Sequence, residues 1–353
     1  MVGGPAWALD RPQPPVSPPW APPRAAPAPR QSELTKPLGA LGLIEKIAID
    51  LAAVQRRSRP RASDAAIVLF AGDHGVTAQG ISAFPSEVTA QMLQNFANGG
   101  AAISVLSRAQ GVPLSVIDVG TLSDAEIAGV VTDKPCRGTA DFSSAPAMTP
   151  DELAFALAAG RRAVAAAGSR DVLLFGEMGI GNTTSAAALA CALTGRAAGE
   201  LVGAGTGLDA MGQERKARVV SDALDLHGCN GADVLHALRC VGGLEIAALT
   251  GAIIAAAQAG VPVLVDGFIV TAAALAAVRI NPDVRPYLIF SHRSHEQGHG
   301  ILLDAMDAAP LLSLDMRLGE GSGAALALPL LRHACALHND MATFAEAAVS
   351  GSG

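Results

Sequence analysis

A chain of 353 residues can bury its own hydrophobic core without disulfide or metal staples. Half of the residues are apolar and only 16% are charged, which excludes a wholly disordered chain. The 25 Lys and Arg against 32 Asp and Glu give a net charge of −7 with no basic block, so a nucleic-acid partner is not expected.

The N-terminal segment differs in composition from the rest of the chain. Residues 1–30 contain ten of the 22 prolines and both tryptophans, which favours extended, solvated backbone. We therefore predict a disordered Pro-rich tail over residues 1–33 and a single catalytic unit over 34–353. No apolar run follows a positive start, so a secretory signal is not expected. The five widely spaced cysteines include no C-x-x-C pair and indicate reduced thiols in the cytoplasm.

Short apolar runs alternate with Ala-rich helical segments from about residue 60 to residue 330. The runs lie at 66–70, 114–119, 172–175, 261–265, 287–290 and 311–314. This pattern predicts an α/β fold in which helices cover both faces of a parallel sheet. Thr149, Pro150 and Glu152 combine a cap, a first-turn proline and a capping-box glutamate, and they predict a helix that runs to about Gly168.

The uncharged stretch 246–265 requires a decision between a membrane span and a buried core segment. Gly260 and Pro262 interrupt it, and no Lys or Arg flanks it closely. We predict a buried helix followed by a short buried strand, with no membrane span.

A glycine-rich or polar cluster follows each predicted strand, and in open parallel sheets ligands bind at this edge. In the cluster at 176–184, Gly179 and Gly181 allow close backbone approach, and Asn182 or Thr183 begins a helix whose N–H groups favour a phosphate. The segment is neither a Walker A loop nor a dinucleotide fingerprint, so a monophosphate is the more economical ligand. A second loop at 203–209, before Lys216, adds N–H donors and a cation, or is only a flexible connection.

Two carboxylates are candidates for acid–base chemistry. Glu320 lies between glycines beyond the last predicted strand, and Glu177 has a comparable place in the earlier loop. A carboxylate in a semi-apolar pocket can serve as a general base, and a pair can flank a sugar whose glycosidic bond breaks. The alternative is that Glu320 only caps the helix that begins near Ser322.

Three further groups have both a functional and a structural interpretation. His292, His295 and His299 have the spacing of one helical face, which suits zinc but also substrate contact or packing. Asp73 and His74 could pair as a base and its orienter, although a polar turn at the rim of the site explains them better. A further set could form an aromatic-ligand pocket or simply belong to the core: Phe84, Gln91, Met178 and Leu318.

Several motifs together resemble one known family. They include Phe70-Ala-Gly-Asp-His-Gly-Val76, Gly176 to Thr184, Gly203 to Asp209, Val265-Asp-Gly-Phe268 and Leu318 to Gly323. In this order, over about residues 34–345, they resemble the nicotinate-nucleotide:dimethylbenzimidazole phosphoribosyltransferases, which activate the lower base of cobalamin. The resemblance implies a Rossmann-like parallel sheet, a homodimer, and a small helical domain built from about 34–58 and 332–348 around a core at about 60–330.

The same resemblance implies roles for individual residues. Glu320 matches the general base and Glu177 the second carboxylate. The substrate phosphate and ribose would be held by Gly179, Gly181, Asn182, Thr183, Gly203, Gly205 and Lys216. The benzimidazole would be held by Ser82, Phe84, Gln91, Met178 and Leu318. The resemblance implies nicotinate mononucleotide and a benzimidazole-type base as substrates, and no cofactor or metal is expected.

Two other functions remain open at this point. A non-catalytic nucleotide-binding paralogue would keep the glycine loops and could lose Glu320. A metal hydrolase would use His292, His295 and His299.

Overall fold

The computed structural model describes residues 4–12, 29–231 and 233–350, and its centre is a sheet of six parallel strands in the order β3-β2-β1-β4-β5-β6. These strands are β1 (Ala65–Gly72), β2 (Leu114–Gly120), β3 (Val130–Thr132), β4 (Val172–Met178), β5 (Val263–Val265) and β6 (Leu288–Phe290). The chain adds strands outward from β1 in one direction and from β4 in the other, so the strand order reverses between β1 and β4. Ligands of open α/β sheets bind at the carboxyl ends of the strands beside such a reversal.

Helices cover both faces of this sheet. In chain order they are α1 (Pro29–Glu33), α2 (Leu43–Gln55), α3 (Glu87–Asn98), α4 (Ala102–Gln110), α5 (Pro150–Ala167), α6 (Asn182–Thr194), α7 (Ala198–Leu201), α8 (Ala210–Leu226), α9 (Val234–Val241), α10 (Leu244–Gln258), α11 (Phe268–Ile280), α12 (His299–Ala305) and α13 (Ser322–Asp340). Every residue of β1 is buried, with Ile67 and Leu69 in one hydrophobic core and Val68 and Phe70 in the other. A strand that is covered on both faces needs a continuous apolar run, and the predicted α/β fold is confirmed.

One predicted strand has a different place. The run at 311–314 contributes β8 (Leu312–Ser313), which pairs with β7 (His292–Arg293) in a separate two-stranded sheet. The edge strand β3 is not predicted, because its three residues are largely solvent-accessible and form no long apolar run.

Helices α5 and α10 confirm the two local predictions. Thr149 and Glu152 form a capping box at the start of α5, with Pro150 in its first turn. The stretch 246–265 forms most of α10 and then β5, and both are buried. Within the described ranges, no helix combines the length and the apolarity needed to cross a membrane.

The backbones of α5 and α10 are in direct contact where two glycines meet. A Cβ built on Gly160 would lie 1.9 Å from the carbonyl oxygen of Ala248, and one on Gly251 would lie 2.0 Å from that of Leu157. Both distances are far below van der Waals contact, so only glycine fits at either position. The crossing lets α10 pack on the sheet with α5 above it.

The two ends of the catalytic unit meet. Leu34 forms an antiparallel bridge with Thr343, and α2 packs on α13. Ile47 of α2 and Leu328 of α13 belong to the same core cluster as Ile67 of the sheet. Because α2 and α13 share a hydrophobic core with the strands, a separate small helical domain built from 34–58 and 332–348 stays a prediction.

The N-terminal residues differ from the prediction where the structure describes them. Residues 6–9 form a short 3-10 helix, Ala6–Leu9. The side-chain amides of Gln258 and Asn281 both donate to the carbonyl oxygen of Asp10, and Arg161 lies over the Trp7 ring. Residues 4–12 are thus packed on the body of the protein, and residues 29–33 form α1. The rest of the predicted tail lies outside the described residues.

Candidate active site

A cleft opens at the carboxyl ends of β4 and β5, beside the reversal of strand order. It encloses about 370 Å³. Its wall includes nine of the predicted site residues: Phe84, Glu177, Met178, Gly179, Asn182, Thr183, Gly205, Leu318 and Glu320. Residues separated by more than 230 positions in the chain therefore meet in one place, as the clusters after the strands predict.

The first glycine loop joins β4 to the start of α6. A Cβ on Gly179 would lie 2.4 Å from the carbonyl oxygen of Gly72, so the loop packs directly on the end of β1. Gly181 is the N-cap of α6 and has a left-handed φ of 94°. A glycine N-cap supplies no side-chain acceptor for the first-turn N–H groups, and such a helix start favours an anionic ligand.

The second loop and Lys216 lie against the first loop. Lys216 of α8 is buried, and its Nζ donates a 2.7 Å hydrogen bond to Thr183 Oγ1. Burial lowers the pKa of Lys216 to about 8, and the charge of Glu296 opposes that shift. Arg317 Nη1 donates to the carbonyl oxygen of Gly205 at 3.2 Å. The two loops, Arg317 and the buried Lys216 behind them thus make one end of the cleft positively charged.

Glu320 packs against β4, where a Cβ on Gly176 would lie 2.3 Å from its carbonyl oxygen, and it is only 7% exposed. It has a left-handed φ of 62°, and its Oε2 accepts a 3.1 Å hydrogen bond from the N–H of Ile103, in the first turn of α4. Burial raises the pKa of Glu320, and the backbone N–H groups of Ala102 and Ile103 oppose the shift. A carboxylate whose pKa is raised by burial, but whose anion still accepts backbone hydrogen bonds, is suited to accept a proton near neutral pH.

Glu320 does not cap the helix that follows it. Gly321 is the N-cap of α13 and provides no side-chain bond. Asp266, directly after β5, takes that place: its carboxylate accepts hydrogen bonds from the N–H groups of Gly321 and Ala324, at 3.2 and 2.9 Å. The helix-capping role that was the alternative for Glu320 is therefore filled by Asp266.

Glu177 is the next-to-last residue of β4, and its side chain lies between Asn182 and Gly319. Its Oε2 accepts a hydrogen bond from the side-chain amide of Asn182, and its Oε1 would lie 2.4 Å from a Cβ on Gly319. Burial, followed by the charges of Asp266 and Glu245, raises the pKa of Glu177 to about 8, while the bond from Asn182 opposes the shift. Glu177 is thus mostly protonated at neutral pH as long as no cation lies beside it.

The raised pKa of Glu177 predicts a pH-dependent stability difference for Glu177→Gln. The folded protein holds the proton up to about pH 8, whereas the unfolded chain releases it near the ordinary value of 4.5. The contribution of the protonated Glu177 to the free energy of unfolding of the wild type is therefore lost as the pH rises through this window. We expect Glu177→Gln to match wild type near pH 4.5 and to exceed it at pH 8.5, by on the order of a few kcal/mol.

Urea unfolding at several pH values measures this difference. Glu126→Gln, at an exposed loop position, is the matched control for the loss of one carboxylate. A difference between Glu177→Gln and wild type that is constant with pH would show that the site does not hold this proton.

The predicted base-binding residues divide into two groups. Phe84, Met178 and Leu318 line the cleft, and the side chains of Phe84 and Leu318 are 53% and 56% exposed. Ser82 lies beside the cleft, with its Oγ 3.2 Å from Thr206 Oγ1. Gln91 lies on an exposed part of α3 and is not among the lining residues.

Two other predictions about histidines are wrong. His292, His295 and His299 do not share a helical face, since His292 lies in β7, His295 is exposed and His299 begins α12. His74 is not on the rim of the site: its side chain is fully buried, with Nδ1 2.8 Å from Ser185 Oγ and Nε2 2.7 Å from Glu245 Oε1. This Ser-His-Glu chain lies directly below Gly179, where a Cβ would be 3.2 Å from His74 Nε2.

Comparison with known proteins agrees with this architecture. A family model described as phosphoribosyltransferase matches residues 16–349. The chain belongs to this phosphoribosyltransferase family. A nicotinate-nucleotide–dimethylbenzimidazole phosphoribosyltransferase from Bradyrhizobium sp. (strain ORS 278) is 62% identical over 325 residues, which cover 91% of this chain and 93% of that relative. A relative of the same name from Xanthomonas axonopodis pv. citri is 57% identical over 330 residues, which cover 93% of this chain and 94% of that relative.

The fold is also similar to that of a solved structure. The crystal structure of the enzyme of this name from Thermus thermophilus has a TM-score of 0.86 and 45% sequence identity, and the match covers 92% of this chain and 97% of that one. This phosphoribosyltransferase is accordingly a transferase with the α/β fold of its relatives.

Sequence reasoning did not assign Asp266, Thr206 and Arg317, which also line the cleft. Asp266 has a visible signal, because it directly follows a buried strand in Val265-Asp-Gly-Phe268. Thr206 falls inside the glycine-rich motif Gly203 to Asp209, and Arg317 directly precedes the motif Leu318 to Gly323.

Proposed function

We propose that this chain moves the 5-phosphoribosyl group of nicotinate mononucleotide to dimethylbenzimidazole or a related base, giving α-ribazole 5′-phosphate and nicotinate. The observation that carries the proposal is the arrangement of the cleft. Its wall combines the glycine loops beside Lys216 and Arg317, the buried carboxylates Glu177 and Glu320, and the apolar side chains of Phe84, Met178 and Leu318. Relatives that bear this activity in their names match nearly the whole chain.

The positively charged end of the cleft suits the 5′-phosphate. The N-terminus of α6 and the ammonium of Lys216 both favour a phosphate, and the lowered pKa of Lys216 reflects a buried cation without a close anion. A bound phosphate would supply that anion. Gly179 and Gly205 let the backbone approach it closely.

The carboxylates suit the reacting carbon. When the bond between C1′ and the pyridinium nitrogen breaks, its electron pair goes to that nitrogen, and nicotinate leaves without a general acid. Positive charge then builds up on the ribose, where ionised Glu177 stabilises it. Glu177 loses its proton as the cationic pyridinium ring of the substrate comes to lie beside it, because an opposite charge nearby lowers a carboxyl pKa.

Glu320 completes the reaction. One nitrogen of the benzimidazole attacks C1′ from the face opposite the leaving ring, which inverts the configuration and gives an α-riboside. The other ring nitrogen then becomes acidic, and Glu320 accepts its proton. Phe84, Met178 and Leu318 hold the ring in line for attack, and such alignment provides much of the rate enhancement.

A transfer assay tests the proposal. Purified protein is mixed with nicotinate mononucleotide and, separately, with dimethylbenzimidazole, benzimidazole, adenine or a phenol. We expect mass spectrometry to find the α-ribotide and equimolar nicotinate for at least one base, and neither product without a base. Binding of the mononucleotide without transfer to any base would favour the non-catalytic paralogue. The order of preference is left to the assay, since one methyl group in an apolar pocket is worth about 1 to 3 kcal/mol.

The predicted homodimer and cytoplasmic location belong to the same proposal. They rest on the resemblance and on the reduced thiols that the cysteine spacing predicts. Light scattering at working concentration measures the first.

A further inference from the structure

Two cysteines and a histidine meet away from the cleft. Cys229 follows the end of α8, and its N–H donates to the carbonyl oxygen of Leu224 at 2.9 Å. His236 and Cys240 are four residues apart in α9 and therefore lie on the same helical face. One potential ligand atom from each of the three side chains lies within 4.8 Å of the other two. Among the described residues this is the one such group of three, and none of its members lines the cleft.

We propose that Cys229, His236 and Cys240 bind a zinc-type divalent metal ion, as a structural site separate from the active site. Thiolate and imidazole are the ligands that zinc prefers. Tetrahedral zinc, with bonds of about 2.3 Å to sulfur and 2.0 to 2.1 Å to nitrogen, places its ligand atoms roughly 3.5 to 3.8 Å apart. The three side chains therefore need to close by only about 1 Å, and a water molecule can take the fourth position.

The surroundings favour thiolate at Cys240. Arg239 Nη2 donates to Cys240 Sγ at 3.4 Å, and His236 Nε2 lies 3.7 Å from the same sulfur. Donors around a metal-bound sulfur keep the ligand ionised, so Arg239 can stay in place when the ion binds.

Binding requires defined proton movements. Each thiol releases its proton to solvent as its sulfur–metal bond forms. His236 Nε2 now lies 2.8 Å from the carbonyl oxygen of His227, so it carries the ring proton. That proton moves to the other ring nitrogen when Nε2 binds the metal. Cys229 and Cys240 are buried and His236 is half-buried, so the ion enters along the imidazole side.

The site would stabilise the long loop 133–149, which leads from β3 to α5. The carbonyl oxygens of Arg239 and Cys240 accept hydrogen bonds from the N–H groups of Met148 and Ala147, at 3.0 and 2.9 Å. An ion that joins Cys229 to α9 therefore also fixes the backbone that leads into α5. This placement indicates a structural ion.

Cadmium titration tests the proposal, because Cd²⁺ binds zinc sites and its thiolate bonds absorb in the ultraviolet. The full chain is reduced, stripped of metal with a chelator, and titrated. We expect absorbance that saturates at one equivalent, and a rise in thermal midpoint with Zn²⁺. Cys240→Ser should abolish both effects, and His236→Gln, which keeps both thiols, should weaken binding by at least about tenfold.

Cys136→Ser and Cys335→Ser are the matched controls, since these thiols lie elsewhere. Circular dichroism and the transferase assay check that each variant is folded. The proposal is overturned by the absence of a saturable signal in wild type, or by an unchanged titration in the Cys229→Ser/Cys240→Ser double variant. A disulfide between Cys229 and Cys240 in protein isolated under reducing conditions would overturn it as well.

Discussion

Glu320→Gln is expected to lower turnover by at least about a hundredfold while both substrates still bind, because general-base catalysis is typically worth about 10² to 10⁴ in rate. The amide oxygen of glutamine can still accept the N–H of Ile103, so the loop and its left-handed backbone should be kept. What is lost is the group that accepts the proton of the incoming base. Initial rates over a range of both substrate concentrations separate kcat from KM.

The matched control is Glu126→Gln, at an exposed loop position. The pH profile gives an independent readout, because a general base produces an acidic limb in kcat that should disappear in Glu320→Gln. Near-normal turnover in this variant would remove Glu320 from the role. A raised KM with unchanged kcat would assign it to binding instead.

Gly160→Ala is expected to destabilise the protein by about 2 to 4 kcal/mol, although alanine is the better helix former by about 1 kcal/mol. The new methyl group would lie 1.9 Å from the carbonyl oxygen of Ala248, so α5 and α10 must separate. Separation weakens packing along two helices that cover one face of the sheet. Urea unfolding followed by circular dichroism measures the change.

The same chemical change can be made where there is room for it. A Cβ on Gly199, in α7, meets no atom within 4 Å, so Gly199→Ala is the matched control and should be close to neutral. Gly251→Ala should resemble Gly160→Ala. The double variant should cost less than the sum of the two, because the first methyl group has already separated the helices. Neutral behaviour of Gly160→Ala would mean that the crossing can open without loss.

The sheet was largely predictable because burial on both faces leaves a continuous apolar run. Strands β1, β2 and β4 have such runs, and a glycine or polar cluster marks the end of each. Strand β3 has three residues and little burial, so nothing local distinguishes it. The run at 311–314 is apolar, but its pairing with β7 depends on contacts between distant segments.

The position of the cleft was predictable because a glycine-rich or polar cluster follows each strand, and the carboxyl ends of parallel strands lie at one edge of the sheet. The glycine loops and Glu320 were located in this way. Asp266 was visible after its strand, but its bond to Ala324, 58 residues later, is a property of the folded chain. His292 and His299 were misjudged because helical spacing was assumed where the chain forms a strand and then a turn. Cys229 and Cys240 show no motif, and the turn between α8 and α9 brings them together.

Asp266 accepts hydrogen bonds from the N–H groups of Gly321 and Ala324, which join the end of β5 to the start of α13. Glu320, the proposed proton acceptor, directly precedes Gly321 and is therefore tied to the sheet, whereas Phe84 and Leu318 at the mouth of the cleft are more than half exposed. In the proposed reaction, acceptor choice and proton removal thus belong to separate parts of the protein. Substitutions near Phe84 and Leu318 can therefore change which heterocycle is accepted while Glu320 and its contacts stay unchanged.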